Sequence, residues 1–108
     1  MKPRQLAQAW VDAFNRADAD AIAAFYAEDA TYLQVGESPV RGREAIRQVF
    51  ADVFASAGRI LFVENIFEEG DWAILEWSAG QGLKGCGLFN VVEEIIVLQR
   101  GYGSNLVS

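Results

Sequence analysis

The sequence predicts an α+β protein in which three helices pack on one face of a curved antiparallel sheet, and three observations support this fold class. Apolar residues recur at helical spacing through most of the N-terminal half. From Arg59 onward, stretches rich in β-branched and aromatic residues are separated by short turns, as in an antiparallel meander. A chain of 108 residues, 52% of them hydrophobic, holds enough apolar material for one core, so we expect a single domain over residues 1–108.

The first two helices are expected to form an α-hairpin. The first should run from about Pro3 to Ala17, and the second, shorter helix should begin after Asp18, which suits an N-cap. The residues expected to face the core are Leu6, Trp10, Ala13 and Phe14 on the first helix and Ile22, Phe25 and Tyr26 on the second.

A strand from Ala30 to Val35 follows, with its turn at Gly36–Val40. The third helix should run from about Arg43 to Ala57 and end at Gly58, a frequent C-terminal stop. Its apolar stripe consists of Ile46, Val49, Phe50, Val53 and Phe54.

Four further strands complete the predicted sheet: Ile60–Glu68, Trp72–Ala79, Lys84–Val92 and Ile95–Tyr102. Successive side chains of a strand point to opposite faces, so Trp72 and Ile74 should lie on the face opposite to Trp77. The helices cover only one face of the sheet. Large apolar residues on the other face therefore predict a homodimer that forms through the sheet, with Arg100 placed to make an inter-subunit salt bridge.

Charge and hydropathy exclude several classes of partner. The net charge of −6 argues against nucleic acid and against an anionic membrane surface, because both are bound through basic residues. Purely apolar runs such as Ile95–Leu98 are far too short to span a bilayer. Lys2 and Arg4 are not followed by a signal-peptide core, so we expect a soluble cytoplasmic protein.

The chain contains no His and a single Cys, Cys86. These absences exclude Ser-His-Asp and Cys-His mechanisms and an intrachain disulfide, and they remove the usual nitrogen ligand of transition metals. The carboxylates are also dispersed rather than clustered at ligand spacing. We therefore expect neither a metal site nor a cofactor, and Cys86 is interpreted as an inert, partly buried thiol.

Five segments resemble the SnoaL-like branch of the nuclear transport factor 2-like, or ketosteroid isomerase-like, superfamily: Trp10–Arg16, Tyr26–Thr31, Val40–Ile46, Gly85–Phe89 and Gln99–Tyr102. They follow one another in the family's order over nearly the whole chain. The resemblance implies a cystatin-like cone with an apolar pocket, commonly dimeric through the sheet. Members include isomerases, cyclases, epoxide hydrolases and proteins without catalysis, so the family implies an architecture rather than a reaction.

The resemblance does not carry over the known catalytic groups. Gln34 stands where ketosteroid isomerases have their Asp base, Trp10 stands at the oxyanion-hole Tyr, and the second Asp falls near Gly87. The positions that match the charged triad of the epoxide hydrolases are held by Trp77, Ala79 and Gly101.

The residues left for function are those of a pocket. Gln34 and Tyr32 share a strand face and could hold a ligand carbonyl or orient a water, or could satisfy local structure. The full set of candidate ligand-binding residues is Trp10, Tyr32, Gln34, Phe50, Phe54, Trp77, Phe89 and Gln99. Glu64 and Glu76 are weaker candidates for acid–base work, because a solvated place on the outer face is the simpler interpretation.

Three hypotheses remain open at this stage. The first is a pocket protein that binds an apolar small molecule without catalysing a reaction. The second is an isomerase, cyclase or hydrolase for a polycyclic or terpenoid-like substrate, working through Gln34, Tyr32 and an ordered water. The third is a dimerisation scaffold whose cavity is filled core. A titratable group inside the cavity would separate the first two.

Overall fold

The computed structural model describes residues 1–56 and 59–103 and confirms the α+β class. Its elements are α1 (Pro3–Asn15), α2 (Ala19–Ala23), β1 (Tyr26–Gln34), β2 (Val40–Arg41), α3 (Arg43–Ser56), β3 (Phe62–Glu69), β4 (Trp72–Ser78), β5 (Lys84–Val92) and β6 (Ile95–Gly103). The six strands form one sheet in the order β2-β1-β6-β5-β4-β3. The predicted helix end at Ala57 and Gly58 lies outside the described residues. None of the described helices has the length and apolar character needed to cross a membrane.

The prediction that every strand pair is antiparallel was wrong, because β1 runs parallel to β6. Tyr26 lies opposite Ile96 and Tyr32 lies opposite Gln99. A parallel pair needs a long crossover connection, and the segment from β2 through β5 supplies it. The meander of β3 to β6 was predicted correctly, since short turns dictate antiparallel neighbours.

The beginning of β1 also differs from the prediction. The strand starts at Tyr26 rather than Ala30, and α2 ends at Ala23, so Tyr26 is a strand residue. The Ile96 N–H donates to the Phe25 carbonyl over 2.8 Å, which starts the β1–β6 ladder where helical spacing alone suggested more helix. The last residue of the predicted turn, Val40, forms the two-residue strand β2 together with Arg41.

Side chains of α1, α3 and the inner sheet face form the core. Asp18 caps α2 as predicted, with its carboxylate accepting from the Ala21 N–H over 3.0 Å. At the end of α1, the Asn15 amide pairs with both backbone groups of Leu61, donating over 3.0 Å and accepting over 2.9 Å. This double contact attaches the end of α1 to the chain just before β3.

Glycines in β5 and β6 leave room for bulky inward-facing groups on neighbouring strands. Trp77 of β4 lies opposite Gly85, and a Cβ added to Gly85 would come within 2.8 Å of Cε2 of the indole. Gln34 of β1 lies opposite Gly101, where an added Cβ would overlap the Gln34 carboxamide. The missing side chains thus decide where an indole and an amide can lie on the inner face.

The side chains of β4 alternate between the inner and outer faces of the sheet as predicted from the sequence. In β4, Ala73, Leu75 and Trp77 are buried, whereas the alternate positions Trp72 and Ile74 are only partly covered. One cross-strand row on the outer face contains Leu33, Arg100, Leu88, Ile74 and Phe67.

Gly85→Ala should lower the free energy of unfolding by about 1–3 kcal/mol, because the new methyl group overlaps Trp77 and the Tyr102 carbonyl oxygen. Gly80→Ala is the matched control, since an added Cβ there has no heavy atom within 4 Å. The control should change stability by no more than about 0.5 kcal/mol. Urea unfolding followed by Trp fluorescence measures both variants, and equal stability of the two would contradict the proposed packing of Trp77 over Gly85.

Candidate functional site

A cavity of about 470 Å³ lies between the helices and the inner face of the sheet. Seven of the eight predicted ligand-binding residues line it: Trp10, Tyr32, Gln34, Phe50, Trp77, Phe89 and Gln99. The eighth, Phe54, is not part of the cavity wall. Its ring packs behind the wall, with centroids 5.1 Å from Phe14 and 6.4 Å from Phe50.

Trp10 is the centre of the aromatic part of the wall. Its indole stacks on Phe14 with centroids 5.5 Å apart and meets Phe50 and Phe89 edge-on at 5.6 and 5.4 Å. Tyr32 extends the group through a contact of 5.6 Å with Phe50. Offset and edge-on contacts hold the rings in fixed relative orientations. The wall is therefore a rigid apolar surface rather than a loose set of side chains.

A buried chain of hydrogen bonds runs from α1 to the centre of the sheet. The Trp10 Nε1–H donates to the Tyr26 hydroxyl over 3.0 Å, and that hydroxyl donates to Oε1 of Gln99. Burial raises the pKa of Tyr26 well above its ordinary value, with the charge of Tyr32 a smaller cause and the Trp10 hydrogen bond opposing both. Tyr26 is thus a neutral hydroxyl that can both accept and donate.

Sequence reasoning missed the polar role of Tyr26. Helical spacing assigned it to the core face of the second helix, with no polar role. A signal was present, since a Tyr at a fully buried position usually requires a hydrogen-bond partner. Its partners Trp10 and Gln99 are 16 and 73 residues away in sequence, so the spacing of residues along the sequence could not reveal these hydrogen bonds.

A second polar pair lies on β1, and both of its side chains border the cavity. The Tyr32 hydroxyl donates to Oε1 of Gln34 over 3.1 Å. Burial, followed by the negative charge of Glu37, raises the pKa of Tyr32 from 10.0 to about 12. Both predicted polar candidates therefore face the cavity, and neither exchanges protons near neutral pH.

The connection between β1 and β2 places Glu37 and Ser38 at the cavity mouth, which the sequence prediction did not include. Glu37 is exposed and is the only charged side chain among the described residues of the wall. The turn composition predicted the loop, but not that the parallel pairing of β1 with β6 would bring it over the cavity.

The other titratable candidates lie elsewhere. Glu64 accepts from the Ser78 hydroxyl over 2.6 Å, and Glu76 accepts from the Asn65 amide over 3.0 Å, both on exposed parts of β3 and β4. Cys86 borders the cavity as a half-buried free thiol. Within residues 1–56 and 59–103, no three potential metal-ligating side chains converge.

A domain model described as a SnoaL-like domain matches residues 7–98. A comparison with curated protein sequences found no significant match. Among solved structures, the fold is similar to that of a SnoaL-like protein of unknown function from Burkholderia thailandensis E264, with 18% sequence identity, a TM-score of 0.84 and coverage of 95% of each chain.

Two further solved structures are similar in fold. An LEH-like epoxide hydrolase from M. tuberculosis has 23% identity and a TM-score of 0.81, covering 93% of this chain and 80% of that chain. A protein with a ketosteroid isomerase-like fold from Catenulispora acidiphila DSM 44928, solved in complex with trimethylamine, has 20% identity and a TM-score of 0.84, covering 94% and 86%. At such identities the likeness shows the fold alone.

The raised pKa of Tyr32 predicts a loss of stability at alkaline pH. Above pH 10 the unfolded chain gives up the Tyr32 proton while the folded chain retains it, so the free energy of unfolding should fall between pH 10 and about 12. Tyr32→Phe removes this contribution and should show a shallower fall, with Tyr26 still contributing. Urea unfolding curves of the two proteins below and above pH 10 measure the difference, and an equal loss in both would contradict the assignment.

Proposed function

The chain belongs to the SnoaL-like domain family, and from that premise we propose that it is a small-molecule-binding protein whose cavity takes a flat, largely apolar ligand with one polar group. The observation that carries the proposal is the cavity itself, with its aromatic wall and few polar side chains. Ligand pockets have volumes of about 300–1,000 Å³ and are mainly apolar with a few placed polar groups. A cavity of about 470 Å³ lies within that range.

The wall chemistry indicates how such a ligand would lie. Its ring system would contact Trp10, Trp77 and Phe89, with its polar atom toward the amides of Gln34 and Gln99. The carboxylate of Glu37 at the mouth disfavours anionic ligands, because no cationic side chain among the described lining residues offsets it. Neutral ligands with one carbonyl or hydroxyl fit best.

An enzyme of isomerase, cyclase or hydrolase type is the second candidate function, and the Tyr32–Gln34 pair in the wall is the observation that favours it. The pair could orient a water against a bound substrate. Proton transfer argues against the first of these chemistries, since neither an amide nor a phenol with a pKa of about 12 accepts a proton near neutral pH. Binding without catalysis therefore remains the favoured function.

We also propose a cytoplasmic homodimer that forms through the outer face of the sheet. Partly covered apolar side chains of neighbouring strands, among them Ile74 and Leu88, lie in one row on that face. The charge of Arg100 in the same row gives the surface a polar contact as well. A surface of this composition is typical of protein–protein interfaces. The single Cys supports the cytoplasmic location, because a chain with one Cys forms no intrachain disulfide.

The binding proposal predicts quenching of Trp fluorescence by members of a panel of steroids, terpenoids, polyketides and flat tricyclic ketones, since Trp10 and Trp77 line the cavity. Gln34→Ala should weaken binding of a responding ketone about fivefold, because one hydrogen bond to a neutral side chain is worth on the order of 1 kcal/mol. Gln48→Ala is the matched control, since Gln48 is exposed on α3 and bonds to Asp52.

Absence of quenching by every compound would contradict the binding proposal. A steroid double-bond isomerisation assay across pH tests the enzyme alternative on the same preparation, and we expect no enzymatic rate. A bell-shaped rate profile would instead support the enzyme and identify a titratable group in reach of the substrate.

The dimer proposal predicts a solution mass of about twice 11.9 kDa by light scattering coupled to size exclusion. Ile74→Arg should shift the protein to the monomer mass, because it places a cation in the apolar row of the outer face. Gln48→Arg adds the same charge on the exposed surface of α3 and should leave the mass unchanged. A wild-type monomer at micromolar concentration would contradict the proposal.

A further inference from the structure

We propose that the cavity selects ligands by a hydrogen-bond acceptor, which is bound by the amide N–H₂ of Gln99, and that Trp10 and Tyr26 hold that amide in the required orientation. The inference rests on the proposed function, since it concerns a ligand inside the same cavity. It adds the class of polar group that the ligand carries: a ketone, quinone or ester carbonyl rather than an N–H donor.

The directions of the buried hydrogen bonds are forced by chemistry. An indole N–H can only donate, so the Tyr26 oxygen must accept from Trp10. The one proton of the Tyr26 hydroxyl is then available for Gln99, and it can be accepted only by the amide oxygen. In the opposite orientation the amide N–H₂ would donate to the Tyr26 oxygen, and the buried hydroxyl proton would then have no acceptor among the described residues. Gln99 therefore has one favoured amide orientation.

Burial keeps this orientation free from competition by water. Tyr26 is fully buried and Gln99 is 4% exposed. Burial also raises the pKa of Tyr26, so the hydroxyl retains the proton that it donates. A buried polar network of this kind is costly to break, because a group that loses its partner finds no solvent to replace it.

The amide nitrogen of Gln99 is the end of this chain of hydrogen bonds. It makes no hydrogen bond to the part of the chain that the structure describes, yet no polar side-chain atom in that part is both fully buried and unpartnered. The nitrogen must therefore reach open space. Gln99 borders the cavity, so this space is the cavity interior. A ligand acceptor placed there would complete the hydrogen bonding of the amide.

Gln34 does not impose the same choice on a ligand. The only hydrogen-bond partner of its side chain in the described structure is the Tyr32 hydroxyl, which can rotate and can donate or accept. The Gln34 amide can therefore turn to offer either its oxygen or its nitrogen. Gln34 contributes to affinity for either kind of polar group, whereas Gln99 distinguishes between them.

Three tricyclic probes of nearly equal shape test the proposal: fluorenone has an acceptor, carbazole has a donor, and fluorene has neither. Isothermal titration calorimetry gives the affinity of each. The wild-type protein should bind fluorenone at least about fivefold more tightly than fluorene or carbazole, the difference expected from one hydrogen bond. Because the three probes fill the cavity alike, their affinity ratios report hydrogen bonding rather than cavity shape.

Tyr26→Phe removes the hydroxyl that holds the Gln99 oxygen, so the amide can turn. The fluorenone-to-carbazole affinity ratio should fall toward one, a change that general loosening of the core would not produce. Gln99→Met removes the donor and leaves Tyr26 in place, and it should also bring the fluorenone-to-carbazole affinity ratio close to one, while Gln34 still favours both probes over fluorene. It also keeps the proposal testable if Tyr26→Phe does not fold. Gln48→Met is the matched surface control. Gln34→Met should weaken the binding of fluorenone and the binding of carbazole by similar factors.

The outcomes separate this inference from the proposed function. If fluorene binds and fluorenone binds no more tightly, the cavity accepts ligands but does not select an acceptor, and the inference is overturned. A ratio that survives both Tyr26→Phe and Gln99→Met overturns it as well. If none of the three probes binds the wild-type protein, the proposed function fails and the inference fails with it.

Discussion

The buried hydroxyl of Tyr26 is the point on which the rest of the structure depends. The hydroxyl accepts from the indole N–H of Trp10 on α1 and donates to Gln99 of the central strand β6. The backbone carbonyl of Tyr26 accepts from Nε of Arg43, at the start of α3, over 3.0 Å. Two helices and two strands thus meet at one residue. The side chains of Trp10, Tyr26 and Gln99 are buried and would lose hydrogen-bond partners without one another, so the network specifies how α1 lies on the sheet.

The cavity exists because the inner face of the sheet has glycines at positions where side chains would otherwise fill the space. Gly85 and Gly101 let the Trp77 indole and the Gln34 amide lie flat against the neighbouring strand instead of projecting into the centre. Larger residues at those two positions would push both groups inward. The volume left over is bounded by rings that hold one another in place around Trp10. Pocket and core are therefore two results of the same packing.

Most of the fold could be predicted from the sequence, because helical spacing and short turns are local signals. Alternation along one strand also placed Tyr32 and Gln34 on the same face, and the family resemblance implied that this face lines the cavity. What could not be predicted depends on the parallel pairing of β1 with β6, which joins residues far apart in sequence. That pairing sets Tyr32 beside Gln99 and brings Glu37 to the cavity mouth. Local patterns contain no information on such a pairing.

The two edges of the sheet differ in how they avoid aggregation. β2 is only two residues long, so it offers almost no template for another strand. β3 is longer and exposes Phe62 and Phe67, but its register shifts beside Glu64, and it ends with Glu68 and Glu69. A bulge and negative charges are the features that keep an open edge from recruiting a second chain. Replacing Glu68 and Glu69 with neutral residues would therefore favour cross-β association at a place remote from the cavity.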